Sequence, residues 1–363
     1  MIEIDGKYTS AKVFADEIDE TSLAQIIKMV NSPAINGEVR IMPDFHAGKG
    51  SVVGFTMPVR DIVIPNVVGV DIGCGMLTFS IEKPKLSLEE INERIRKAVP
   101  LGFSIHSKNQ FDKLDDVDKY YELAEYVGMD RNRLELSIGT LGGGNHFIEL
   151  GKYEKDDAYY ITIHSGSRNF GKMVAEFFQR KAEEFSSGAK DVVKDMEYLP
   201  VDEYLPAMEI AQDYASTNRY VMMRNILKTL DVVAPAMIEC VHNYISPATK
   251  MIRKGAVSAN IADPIILPFN RSEGIWIMTG LGNAEWNLSA PHGAGRRMSR
   301  GQAKRELTQE HVDLEMMEAG VFSTYNPIDE APDAYKSPDE IKKYIGETAQ
   351  YLYSIKPILN IKG

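Results

Sequence analysis

One of the two cysteines in this chain, Cys74, stands in Gly69-Val-Asp-Ile-Gly-Cys-Gly75, three residues after Asp71. Glycines let the backbone fold tightly, so a carboxylate and a thiolate there can converge on one point. A thiolate suits soft or borderline metals and can bridge two of them. The competing reading is a buried apolar cysteine beside a capping aspartate. Three histidines lie in similar surroundings. His146 follows the glycine run 142–144, flanked by Asn145, Phe147 and Glu149. His164 ends an apolar run and leads into Ser-Gly-Ser-Arg168. His242 lies in Cys240-Val-His-Asn-Tyr244, with Arg253-Lys254-Gly255 beyond. Each histidine alone reads equally well as a hydrogen-bonded core residue. Together, one Asp, one Cys and three His suit Zn, Mn or Fe in a two-metal site with a bridging thiolate.

A fourth histidine has different neighbours. In Ser289-Ala-Pro-His-Gly-Ala-Gly-Arg-Arg-Met-Ser-Arg300, small residues surround His292 and leave room for a large group to reach its ring. Arg296 and Arg300 lie four and eight residues on, a spacing that predicts a shared face on a helix beginning near Gly295. Cationic neighbours favour the neutral, nucleophilic form of an imidazole. Arginines also bind phosphate through paired N–H groups. In Met42-Pro-Asp-Phe-His-Ala-Gly-Lys-Gly50, Asp44 and His46 read equally well as part of the same chemistry or as residues that cap and brace a turn. The residue chemistry therefore points to metal-dependent phosphoryl or nucleotidyl transfer without naming a substrate.

The elements that position these residues read as a mixed α+β fold, because strands and helices come in blocks rather than in strict alternation. Strands are expected at Val52–Thr56, Val67–Val70, Met76–Ile81, Phe147–Leu150, Tyr159–His164, Ile261–Leu267 and Ile275–Thr279. Ser87-Leu-Glu-Glu90 is a capping box opening a helix that ends near Pro100. Further helices are expected over Asp116–Tyr126, Lys172–Phe185, Glu203–Leu230 (one or two) and Arg300–Gly320. A second capping box at Ser337-Pro-Asp-Glu340 predicts a helix running to about Ser354.

The 363 residues, 44% hydrophobic, can bury a sizeable core, and no linker or repeat divides them. The expectation is a single domain over 1–363. No apolar run approaches the roughly 20 residues of a membrane span, and the first residues lack the pattern of a signal peptide. With so few cysteines, a reducing, cytoplasmic setting fits. The net charge of −11 argues against a nucleic-acid coat protein, so RNA contact must come from a local basic cluster.

At these same residues the sequence resembles the RtcB family of RNA-splicing ligases. The matching segments are MPDFHAGKG, GVDIGCG, GGGNHFIE, IHSGSRNFG, the His-Asn of CVHNY, RKGA and HGAGRRMSR, followed by EAPDAYKSPDEI and KPILNIKG. They run in order from about residue 40 onward. The resemblance implies a single RtcB-like domain, with central mixed β-sheets flanked by helices and a metal-containing cleft. It implies two Mn²⁺ ions held by Asp71, Cys74, His146, His164 and His242, with Cys74 bridging. It makes His292 the nucleophile that takes GMP from GTP. The GMP passes to an RNA 3′-phosphate, opened from a 2′,3′-cyclic phosphate where needed, which a 5′-hydroxyl RNA end then attacks. Asn145, Phe147, Glu149, Tyr335 and Lys362 match nucleotide-pocket positions. Arg168, Lys254, Arg296 and Arg300 match positions that bind RNA phosphates. His106 and His311 match no family site and read as packing or surface residues.

The family's Pro-Gly-Ser-Met-Gly loop on the guanine side appears here as Pro268-Phe-Asn-Arg-Ser-Glu-Gly274, and the segment between His242 and Arg253 is short. The chain thus resembles a compact subgroup. The alternatives are a two-metal phosphoesterase or nucleotidyltransferase with altered nucleotide preference, and a non-catalytic RNA-binding module. Repair and tRNA splicing are both open as settings, as are an activating protein and the oligomeric state.

Overall fold

A computed structural model describes residues 1–153, 155 and 158–363. Its larger sheet has seven strands in the order Met237–Val241, Gly75–Ile81, Ala158–Ser165, Phe147–Tyr153, Ala349–Lys362, Ile275–Gly280, Pro264–Pro268. Every pairing in it is antiparallel. Side chains alternate across a strand, so each strand divides its residues between two faces. One face sends Leu77, Phe79, Ile148, Ile161 and Ile163 into a core. Ile91 and Ile95 of the helix Leu88–Ala98 and Met222 and Ile226 of the helix Val201–Leu230 close over it. Fully burying each such side chain contributes roughly 1.5–3 kcal/mol.

The opposite face carries the chemistry. Register places Met76, His164, Phe147 and Lys362 in one row across four strands. Thr78, Thr162, Glu149 and Asn360 form the next row, two residues along. Thr78 and Thr162 share a 2.9 Å hydrogen bond, and Asn360 Nδ2 donates to Glu149 Oε2 at 3.0 Å.

A second sheet has six strands in the order Ile2–Asp5, Ser10–Val13, Val39–His46, Val53–Pro58, Met251–Lys254, Asn243–Ile245. It is mixed, because Ser10–Val13 runs parallel to Val39–His46 while the other pairs are antiparallel. The short pair Ala256–Ser258 and Ser289–Pro291 sets up the turn that carries His292. The α+β expectation holds, although only one of the two large sheets is mixed. Among the described residues no helix is long and apolar enough to cross a membrane.

Both capping boxes are present, at Ser87 with Glu90 and at Ser337 with Glu340. Glu203–Leu230 lies within one continuous helix, Val201–Leu230. Four expectations differ from the structure. Val67–Val70 is not a strand: Pro65 opens a 3-10 turn, Pro65–Val67, and Gly69 at φ 100° turns the chain away. The stretch after Arg300 is two helices, Arg300–Glu306 and Gln309–Glu318, because Thr308 caps the second through the His311 amide. That first helix begins at Arg300 rather than near Gly295, so Arg296 shares no helix face with it; Arg296 instead bridges to Tyr335. The last helix stops at Ile345. Residues that continue its pattern are drawn into the strand Ala349–Lys362, where pairing on both sides outweighs local propensity.

Candidate metal centre and adjoining cleft

Antiparallel pairing brings the end of one strand beside the start of the next, and the metal-type ligands exploit this. Cys74 precedes Gly75–Ile81, His164 lies at the end of Ala158–Ser165, His146 precedes Phe147–Tyr153, and His242 follows Met237–Val241. All four strand ends meet at one edge of the seven-stranded sheet. Asp71 comes from the turn before Cys74, where its Oδ1 accepts from the Ser167 amide at 3.1 Å. The approach is close: a Cβ on Gly166 would lie 2.1 Å from Asp71 Oδ1.

Two ligand groups result, and they share the thiol. Cys74, His164 and His242 form one, and Asp71, Cys74 and His146 the other, each with ligand atoms within 4.8 Å of one another. Cys74 Sγ is 3.4 Å from His164 Nε2 and 3.5 Å from His146 Nε2. The Nε2 atoms of His164 and His242 are 3.4 Å apart. Burial holds both of these imidazoles well below their usual range, hence neutral and in the form that binds metal. His146 Nδ1 is 3.0 Å from the Leu141 carbonyl, and its Nε2 is 3.0 Å from Asp71 Oδ2. Both ring nitrogens thus face acceptors, so the Nε2 side calls for a positive group, a proton or a metal. Burial and then the Asp71 charge push the Cys74 thiol well above its ordinary range. A cation between them reverses that cost by binding the thiolate. Thiolate, imidazole and carboxylate converging with opposed lone pairs fit a pair of divalent cations.

His292 stands beside this cluster, its ring centroid 4.8 Å from that of His242. Its hydrogen-bonding partner is an acid rather than an arginine. Nδ1 donates to Asp44 Oδ2 at 2.6 Å, and the same oxygen accepts from the amides of His292 at 3.0 Å and Gly293 at 3.2 Å. With Nδ1 carrying the proton, the Nε2 lone pair is left for chemistry. Asp44 is fully buried on the strand Val39–His46, and the turn it braces is the distant one at His292 and Gly293.

A cleft of about 800 Å³ adjoins the cluster, lined from both sheets. Asp71, Cys74, His164 and His242 line it, with His292, Asn145, Phe147, Glu149, Tyr335 and Lys362. Lys254, Arg296 and Arg300 also line it, whereas His146 and Arg168 stand behind its wall. Burial pushes the Glu149 carboxyl up to about 8, so it is largely protonated near neutral pH. The cationic residues are already engaged. Arg296 Nη1 pairs with Glu330 Oε1 at 3.2 Å, Arg300 Nη1 with the same oxygen at 2.6 Å and with Asp329 Oδ2 at 2.8 Å. Lys362 Nζ meets Glu330 Oε2 at 2.7 Å, where the Tyr335 hydroxyl also donates. Lys254 Nζ donates to the carbonyls of Lys49, Ser51 and Asn66 and to Ser51 Oγ, and burial lowers it to about 7. Arg168 donates to Thr140 Oγ1 and the Gly102 carbonyl.

Four residues at the site were missed or misread from sequence: Asp44, Glu330, Asn360 and Arg271. Asn360 carried a signal, as the polar residue in the apolar run Ile358-Leu-Asn-Ile361. Glu330 and Arg271 lie in loops rich in charge, where one buried residue looks like any other.

Comparisons with known proteins rest on the sequence across nearly its whole length. The family model described as tRNA-splicing ligase RtcB matches residues 25–363. The RNA-splicing ligase RtcB of Escherichia coli strain K12 is 31% identical, with 95% of this chain and 95% of that protein covered. The tRNA-splicing ligase RtcB of Nanoarchaeum equitans is 26% identical, with 98% of this chain and 94% of that protein covered. With this match across nearly the whole chain, and with the ligand cluster beside His292, the chain belongs to the RtcB family.

Proposed function

We propose that the chain is an RNA ligase that uses GTP and two Mn²⁺ ions, joining an RNA 3′-phosphate or 2′,3′-cyclic phosphate to a 5′-hydroxyl through a guanylylated His292. The setting is RNA repair or tRNA splicing in the cytoplasm. One observation carries the reading: an imidazole with its Nε2 free lies 4.8 Å, ring to ring, from a cluster of metal-type ligands built on a shared thiol. Residues from Asp19 to Lys362 line the cleft, which supports a single catalytic unit over 1–363.

Cys74, His164 and His242 would hold one cation, and Asp71, Cys74 and His146 the other. Bound there, such cations neutralise phosphate charge and make the α-phosphorus electrophilic. Asp44 fixes the tautomer of His292 and steadies positive charge on its ring. Nε2 attacks the α-phosphorus of GTP, forming a P–N bond as pyrophosphate leaves. An RNA 3′-phosphate oxygen then attacks that phosphorus and breaks the P–N bond, returning the imidazole. The 5′-hydroxyl oxygen attacks the RNA phosphorus, and GMP leaves. Asn145, Phe147, Glu149, Tyr335 and Lys362 hold the nucleotide. Arg296 and Arg300, on the cleft wall, turn from Glu330 toward RNA phosphate. Arg168 and Lys254 serve the same RNA path by bracing its walls, since they donate to wall carbonyls and hydroxyls.

Incubation with α-labelled GTP and Mn²⁺ is expected to give an acid-labile protein adduct that His292→Ala lacks, and the wild type is expected to seal 3′-phosphate and 5′-hydroxyl RNA ends. The altered Phe269–Glu273 loop motivates a second reading, a two-metal phosphoesterase. Release of inorganic phosphate from the 3′ end, with no adduct from any nucleotide, would establish that one instead.

A further inference from the structure

The loop Pro268–Gly274, where the family's usual pattern is missing, sends one side chain inward. Arg271 is 4% exposed. Its Nε donates to Asn360 Oδ1 at 2.9 Å. Its Nη2 donates to Ser323 Oγ at 2.9 Å, Asn326 Oδ1 at 2.8 Å and the Tyr325 carbonyl at 3.3 Å. Its Nη1 is buried without a partner, and the residue lines the cleft. A buried charged donor left unpaired is costly, so a fold that retains one is poised for an acceptor entering from the cleft.

Asn360 ties Arg271 to Glu149. Its Oδ1 holds Arg271, and its Nδ2 donates to Glu149 Oε2, while Glu149 Oε1 is also buried without a partner. One amide therefore orients an unpaired donor and an unpaired carboxyl oxygen at the same end of the cleft. That end lies a nucleoside's length from the cluster. The Phe147 and His164 rings are 5.4 Å apart, and Glu149 is two residues further along the same strand face, about 7 Å.

We propose that Arg271 reads the base of the nucleotide, its Nη1 donating to the O6 carbonyl of guanine. Adenine presents an amino donor in place of O6, so donor would meet donor and adenine is rejected. The substituted loop thus supplies its own guanine contact. This inference rests on the GTP reading above.

The test compares GTP with 6-thio-GTP, which keeps N1–H and the 2-amino group but replaces O6 with a poor acceptor. The readout is the rate of labelling of His292 in the Mn²⁺-loaded protein. Wild type is expected to favour GTP by about 10-fold. Arg271→Met loses about 10-fold with GTP and no longer distinguishes the two nucleotides, and Arg271→Lys recovers part of the preference. Thermal melts identify any unfolded variant, and the wild-type comparison with Arg271→Lys then decides. Equal wild-type rates, or a full preference in folded Arg271→Met, overturn the assignment while leaving the ligase reading intact. No label from GTP in wild type overturns the ligase reading itself and this inference with it.

Discussion

Asp44 and Glu149 are the two carboxyl groups whose surroundings most constrain the chemistry. Asp44 accepts three N–H groups from the turn around His292 through a single oxygen. Asp44→Asn keeps the size but removes the charge that steadies a cationic ring. Labelling by GTP is expected to fall about 10- to 100-fold while the metal content of the purified protein stays at the wild-type value. Loss of metal in that variant would mean Asp44 serves the cluster instead. Glu149 is governed by burial, which lifts its carboxyl from 4.5 to about 8. The folded chain therefore keeps a proton that the unfolded chain gives up above about pH 4.5. Stability from this group is lost as pH rises from there to about 8, by at most about 1.4 kcal/mol per pH unit, and changes no further above. Denaturant midpoints of the metal-free protein at pH 5 and pH 8 are expected to drop in wild type and to drop less in Glu149→Gln. Parallel curves would show that Glu149 is ionised in the fold.

Elements bring these groups together, and the sequence shows them unevenly. The strands and helices with strong local signals were legible: Gly75–Ile81, Ala158–Ser165, the helix Leu88–Ala98 and the start of the helix Pro338–Ile345 lie close to where pattern and capping put them. Asp71, Cys74, His146, His164 and His292 stand in glycine-flanked segments that marked them in the sequence, whereas His242 lies in the apolar run Cys240–Tyr244 and carried a weaker signal. The strand Ala349–Lys362 was read as helix in its first part, since its pairing partners lie far away in sequence. Which turn Asp44 braces was not legible, because its partner, His292, is 248 residues away. The arginines were read as facing His292 because spacing alone does not reveal Glu330, the buried acid that gathers them. The turn after His292 offers a test at this scale. Gly295 has φ 74°, and a Cβ there would lie 2.0 Å from the Asp44 carbonyl oxygen. Gly295→Ala is expected to destabilise the fold by about 1–3 kcal/mol and to lower GTP labelling further than the melt alone predicts. Wild-type labelling in that variant would show that the turn tolerates displacement.

Over the whole molecule, the metal-type cluster joins residues 71 to 242 at one edge of a sheet whose other face is core. A cluster that binds divalent cations only when folded is stabilised by them, so Mn²⁺ is expected to raise the melting temperature and EDTA to lower it. Cys74→Ala, which strips both ligand groups of their common member, is expected to show little Mn²⁺-dependent shift while still melting cooperatively. A full shift in that variant would remove the bridging role. The order of strands in the larger sheet has a further consequence for a chain emerging from the ribosome. Every ligand of the cluster around Cys74 precedes residue 243, whereas the strand that carries Asn360 and Lys362 comes later. Until that strand docks, Phe147–Tyr153 is an open edge with unpaired backbone groups, the kind of surface on which nascent chains aggregate or recruit chaperones. On the proposed reading, the ligand cluster would be complete in sequence before the strand that closes the nucleotide end is made, and the edge stays open over that interval.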